Sequence, residues 1–152
     1  MILNVGVGGG IFTSVRLNAD VVCDIDYPKT RQENFVRCDA HNLPFRDQAF
    51  QLAYCHNVLE HVLDPWKAMR ELKRVSQRVN IRQDVWWSLA SYATPEHYWF
   101  QLSRLRFLPY PRTRIGILFS KTLRYVFGKF FADTLHFSVW INIMSRRYEV
   151  EL

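Results

Sequence analysis

Three glycines at alternate positions, Gly6, Gly8 and Gly10, follow directly on the apolar run Met1 to Val5. Glycine has no Cβ, so a chain built this way turns tightly, comes close to a ligand and leaves backbone N–H groups pointing at it. A nucleotide-like ligand needs such a loop. Asp24 stands 18 residues after Gly6, at the end of a second apolar run, and Asp26 lies two positions beyond it. A carboxylate there can accept hydrogen bonds from both hydroxyls of a ribose, and Asp24 and Asp26 are rivals for that role. The dinucleotide pattern G-x-G-x-x-G is only partly met, because Ile11 occupies the position of its last glycine. That places a nicotinamide dehydrogenase a distant third among the readings.

These groups need a frame. Met1 to Val5 and Asp20 to Asp26 read as buried strands, Phe35 to Asp39 as a brief third, Phe50 to Cys55 as a fourth, and Val79 to Ile81, extending toward Val85, as a fifth. Leu43-Pro44-Phe45 is a turn that tucks two hydrophobes toward the core. Between the fourth and fifth strands, Asp64 is an N-cap and Pro65 the first helical residue, with Trp66, Met69, Leu72 and Val75 at helical spacing. Lys67, Arg70, Lys73 and Arg74 are expected on the remaining surface of that helix. Alternation of apolar strands with short helices predicts an α/β fold, a mostly parallel sheet with helices on both faces. Further on, the sequence predicts a helix from about Pro95 to Arg106, a second from about Arg114 to Phe127, and a closing antiparallel hairpin. The hairpin arms are Leu135 to Met144 and Tyr148 to Leu152.

The chain has 152 residues, 49% apolar and 22% charged, which suits a single globular domain over residues 1–152. Within it, residues 1–85 form a ligand-binding half, and residues 86–152, with 16 of the 23 aromatic residues, a substrate or interface half. Charge divides in the same sense. Residues 1–65 hold five Lys/Arg against eight Asp/Glu, whereas residues 66–152 hold fifteen against six, so the second half suits a polyanion or an acidic membrane surface. No apolar stretch is long enough for a membrane span and no signal peptide is evident, so a cytoplasmic setting is expected. Cys23, Cys38 and Cys55 are odd in number and widely spaced, which argues for reduced thiols and against both a disulfide framework and a metal site.

The spacing Gly6-x-Gly8-x-Gly10 resembles the first motif of the class I S-adenosylmethionine-dependent methyltransferases, and three further segments carry the resemblance. Asp24 matches the acidic residue that ends the family's second strand. Asp39-Ala40-His41-Asn42-Leu43-Pro44-Phe45, followed by Phe50-Gln51-Leu52-Ala53, is similar to the family's D-A-x-x-L-P-F segment, and His56-Asn57-Val58-Leu59-Glu60-His61-Val62 to its V-L-E-H-V stretch. The likeness covers about residues 2 to 76 and implies a Rossmann-like fold. It implies that Gly6, Gly8 and Gly10 wrap the amino-acid part of S-adenosylmethionine, that Asp24 or Asp26 takes the ribose, and that Asp39 and the Ala40 N–H meet the adenine, with His56 also at the cofactor. The implied activity is in-line transfer of a methyl group to an acceptor the sequence leaves unidentified. His61, His56 and His97 are the candidate bases for an amine or hydroxyl acceptor, with His61 on the helix after the fourth strand as an orienting hydrogen-bonder.

The chain also departs from the family. Asn4 stands where a carboxylate usually helps to fix the cofactor's ammonium, and an amide brings no charge. The short interval between Gly10 and Asp24 implies reduced N-terminal helices and an exposed site, which a second subunit, as in a homodimer, or another partner would complete. The alternative is a non-catalytic relative acting on nucleic acid or a protein through the basic half.

Overall fold

A computed structural model describes residues 1–6, 19–28, 33–84, 96–103, 106–110, 112–131 and 147–152. They group into two compact units, residues 1–82 with 149–152, and residues 83–148.

The first unit is built on a sheet of β1 (Ile2–Val5), β2 (Val21–Asp24), β3 (Phe35–Arg37), β4 (Phe50–His56), β5 (Ser76–Asp84) and β8 (Arg147–Glu151), in the order β3-β2-β1-β4-β5-β8. The first five strands run parallel. Leu152 and Val79 exchange both backbone hydrogen bonds at 2.9 Å, the pattern of a closely paired antiparallel neighbour. This is the mostly parallel, Rossmann-like α/β sheet that the alternation of apolar runs predicts. The register sets Cys23, Val5, Cys55 and Ile81 side by side, with Leu3, Ala53 and Val79 in the next row but one, and all are buried.

Helix α1 (Pro65–Val75) connects β4 to β5. The Asp64 carboxylate accepts the Lys67 N–H at 2.9 Å and Pro65 fills the first turn, as the sequence implies. Its buried stripe is Ala68, Met69, Leu72 and Val75, whereas Trp66 is exposed. Burial of Leu72 alone is worth about 1.5–3 kcal/mol. The helix passes straight into β5, so its last carbonyls need partners. Gln48 supplies them: its N–H bonds the Arg74 carbonyl at 2.8 Å, and its side-chain amide reaches the carbonyls of Lys73 and Ser76 at 3.2 and 3.3 Å.

The second unit holds an antiparallel pair, β6 (Trp99–Ser103) with β7 (Arg106–Pro109), and helix α2 (Arg114–Phe131). The pair corrects the expectation of a helix from Pro95 to Arg106. Pairing Phe100 with Leu108 and Gln101 with Phe107 lets aromatic, β-favouring residues bury Phe100 and Phe107 across a short connection, which outweighs the helix-start signal of Pro95. The helix from Arg114 is present and runs four residues beyond Phe127. Of the expected hairpin, the arm Leu135 to Met144 lies outside the described residues, and the other arm lies in β8, beside β5. The segment where reduced helices were expected, residues 7–18, also lies outside them.

Candidate functional site

In a sheet ordered 3-2-1-4-5 the chain winds outward in both directions from the β1–β4 pair. The connections therefore part at the carboxyl ends of those two strands and leave a crevice there. Val5 pairs with Cys55, so Gly6 and His56, the next residues along, flank that crevice. Gly6 has φ +84°, a left-handed backbone that favours glycine, and its N–H donates to the Cys23 carbonyl at 2.8 Å. A Cβ at this position would overlap Cγ2 of Val58. The chain can thus leave β1 and pass beneath the loop after β4 only with glycine here. Gly8 and Gly10 lie outside the described residues.

The carboxylates follow on the same edge. Asp24 ends β2, where its side chain accepts the Asp26 N–H at 3.1 Å and its carbonyl accepts the Cys38 N–H at 2.9 Å. Asp26 is exposed, in the bend that this bond closes. Asp39 lies two residues after β3, beside the buried Ala40. Its Oδ1 accepts the His41 N–H at 2.9 Å and lies 2.7 Å from His41 Nδ1. His41 Nε2 in turn accepts the Asp64 N–H at 3.1 Å, so the proton sits on Nδ1 and the neutral ring links Asp39 to the start of α1. Partial burial pushes the Asp39 carboxyl up, but the two hydrogen bonds from His41 and the charge of Lys67 outweigh it, leaving the group below its ordinary value.

Arg74 holds the turn that follows. Its guanidinium donates to the carbonyls of Leu43 and Phe45 at 2.9 and 2.8 Å, to both Glu71 oxygens at 2.7 and 2.8 Å, and to Asp47 at 2.8 Å. Glu71 Oε2 also accepts the Leu43 N–H at 2.9 Å. The Arg74 bond holds the Glu71 carboxyl below its ordinary value despite some desolvation. Arg74 is thus a clasp between α1 and the Leu43-Pro44-Phe45 turn, not the plain surface cation that its place on the helix suggests.

The three candidate histidines have different surroundings. His56, the last residue of β4, lies edge-on to Tyr54, with Nε2 2.8 Å from Asn80 Oδ1 and therefore the donor. His61 is exposed and sits in a turn, its N–H on the Val58 carbonyl at 2.9 Å, rather than on the expected helix, because the N-cap at Asp64 delays helix formation to Pro65. His97 is buried in the second unit, edge-on to Tyr110. Asn4 is buried within β1, paired with Val22 and Tyr54.

One further residue was not singled out by sequence. Asn57 follows β4 with φ +55°, its N–H on the Arg82 carbonyl at 2.7 Å, and its side-chain oxygen is enclosed with no hydrogen-bond partner among the described residues. An enclosed acceptor left unpaired costs about 1–3 kcal/mol. The signal was an asparagine, a residue type that tolerates the left-handed region, directly after a strand.

Against known proteins, a family model described as "Methyltransferase domain" matches residues 3–78, which contain the crevice and every group just described on its edge. An uncharacterized methyltransferase of Mycobacterium leprae is 32% identical over 89 residues, covering 51% of this chain and 33% of that protein. The chain therefore spans about a third of the length of that curated relative. Among solved structures, a SAM-dependent methyltransferase of Thermotoga maritima superposes with a TM-score of 0.48 at 23% identity, over 55% of this chain and 44% of that one. The YcgJ protein of Bacillus subtilis gives 0.47 at 22% identity, over 63% and 53% respectively.

Proposed function

The chain belongs to the methyltransferase-domain family, and on that premise we propose that it binds S-adenosylmethionine at the carboxyl edge of its parallel sheet and transfers the methyl group to an acceptor nucleophile. The observation that carries this reading is the convergence at one sheet edge of a glycine backbone after β1 and, after β4, an enclosed oxygen without a partner among the described residues, with carboxylates at or just beyond the ends of β2 and β3.

The residues fit that cofactor from one end to the other. Gly6, at φ +84°, turns the backbone out of β1 at the point where the amino-acid part would pass. Asn57 directly precedes Val58, whose side chain lies against Gly6, and its side-chain oxygen, with no partner among the described residues, would accept a hydrogen bond from the ammonium that the uncharged Asn4 serves less well. Asp24 suits the ribose better than Asp26, because it ends the strand and its geometry is set by the Asp26 N–H. Asp39, aimed by His41, suits the adenine amino group, with Ala40 beside it. S-adenosylmethionine supplies a methyl group already activated as a sulfonium, so the protein's task is chiefly alignment of donor and acceptor. His61, exposed just beyond β4, is our candidate to take a proton from an amine or hydroxyl acceptor, and His56, bonded through Nε2 to Asn80, suits positioning.

Calorimetric titration with S-adenosylhomocysteine and with methylthioadenosine, which lacks the amino-acid part, tests this. Saturable binding of both is expected, and no binding at millimolar concentration would leave the non-catalytic alternative. Asn57→Gly keeps the left-handed backbone and removes the acceptor. It should weaken S-adenosylhomocysteine about tenfold and leave methylthioadenosine unchanged, whereas Asn57→Asp should strengthen the former.

A further inference from the structure

Helix α2 (Arg114–Phe131) exposes four large apolar residues in its described part. Thr113 caps it, Oγ1 accepting the Gly116 N–H at 3.1 Å, so the helix and its faces are set from this end. Ile115, Leu118, Phe119 and Tyr125 fall on one face by helical spacing, and they are 81%, 65%, 57% and 67% exposed. On the opposite side Ser120 is fully buried and Gly116, Ile117 and Leu123 are half-buried. The exposed apolar stripe is flanked by Arg114 and Lys121, both exposed. The surrounding sequence is one-signed: residues 97–132 contain seven Lys/Arg and no Asp or Glu.

Each feature narrows the partner. A second copy meeting this face about a twofold axis would set cations against cations with no carboxylate of its own to answer them. A nucleic acid would answer the cations, but its phosphates have no use for Ile115, Leu118 and Phe119. A helix that is apolar on one face and basic at the flank, too charged to cross, matches the boundary between headgroups and acyl chains of an anionic bilayer. Among the described residues no helix is long and apolar enough to span a membrane.

We propose that α2 docks the protein on anionic membrane surface, with Ile115, Leu118, Phe119 and Tyr125 entering the acyl boundary and Arg114 and Lys121 meeting the headgroups. The inference does not depend on cofactor binding, so the two can fail separately.

The test is co-sedimentation of the full chain with phosphatidylcholine vesicles, with and without phosphatidylserine. Partition into the phosphatidylserine vesicles is expected, and it should fall as salt is raised. Leu118→Glu should lower it about tenfold or more, and Lys121→Gln about fivefold, one headgroup cation's share. Both positions are exposed, so circular dichroism and cofactor titration should match the parent and separate lost docking from lost folding. Partition that is unchanged by Leu118→Glu, or equal on neutral and anionic vesicles, overturns the proposal. So does self-association in sedimentation equilibrium, or salt-sensitive binding of duplex DNA, in the absence of vesicle binding.

Discussion

Placing alanine at position 6 brings two separable costs, and their separation tests the geometry of the crevice. The first is conformational: a Cβ on a backbone at φ +84° costs about 1–2 kcal/mol wherever it occurs. The second is local. The new Cβ overlaps Cγ2 of Val58 and lies 3.3 Å from Val58 Cβ and 3.6 Å from Cγ1, an overpacking that costs about 1–3 kcal/mol if the loop after β4 yields only partly. Gly6→Ala should therefore lose about 2–5 kcal/mol in all, a large share of a domain's stability. Val58→Ala removes Cγ1 and Cγ2 and leaves the 3.3 Å approach, so Gly6→Ala combined with Val58→Ala should regain the overlap cost and keep the conformational one. Urea unfolding of the parent, both single variants and the double variant gives the coupling directly. A favourable coupling of about 1–3 kcal/mol is expected, and additivity within about 0.5 kcal/mol would refute the contact between the two loops.

Other consequences follow from the same edge. Asp24→Ala should weaken S-adenosylhomocysteine by about 1–3 kcal/mol while Asp26→Ala changes little, and the reverse ranking, read by calorimetry, would move the ribose to Asp26. Glu71, held below its ordinary carboxyl value of 4.5 by Arg74, contributes stability that is complete above that value and is lost as pH falls through the lower, folded one. Glu71→Gln should flatten the pH dependence of the unfolding midpoint below about pH 4.5 and leave its slope above that unaltered. Among the thiols, Cys23 is pushed up by its hydrogen bond to Cys38 and by burial, and Cys55 by burial, while the bond from Cys23 lowers Cys38, which is half-exposed. Iodoacetamide should therefore label Cys38 first, and S-adenosylhomocysteine should slow that labelling because Cys38 stands between Asp24 and Asp39. Peptide mass mapping distinguishes this from preferential labelling of Cys23 or Cys55.

What could be read in the residues was whatever their near neighbours decide. β1 and β2 are short apolar runs ended by glycine and aspartate, and Asp64-Pro65 announces its helix within two positions. The misreadings occurred where the deciding contact is a pairing that helical periodicity does not reveal. The stretch from Pro95 to Arg106 has a helix-like start, and only pairing with Arg106–Pro109 makes Trp99–Ser103 a strand. Arg74 has the spacing of a surface cation, yet its partners Leu43, Phe45 and Asp47 come from a segment about 30 residues earlier that no periodicity connects to it.

The same distinction separates the candidate site into two parts. Gly6, Asp24 and Asp39 announce themselves by type and spacing because each lies at or just beyond the carboxyl end of its own strand. His41 and Asn57 acquire their roles only from long-range geometry. His41 aims Asp39 because Asp64, 23 residues later, caps its other nitrogen, and Asn57, in a left-handed turn with its N–H on the Arg82 carbonyl, has a side-chain acceptor with no partner among the described residues. On the proposed function, groups of the first kind would select the ligand class and those of the second kind would fix atoms at defined positions, which is what an in-line transfer demands. Loss of Asn57 or His41 should therefore appear in how a bound cofactor is held before it appears in whether the chain folds.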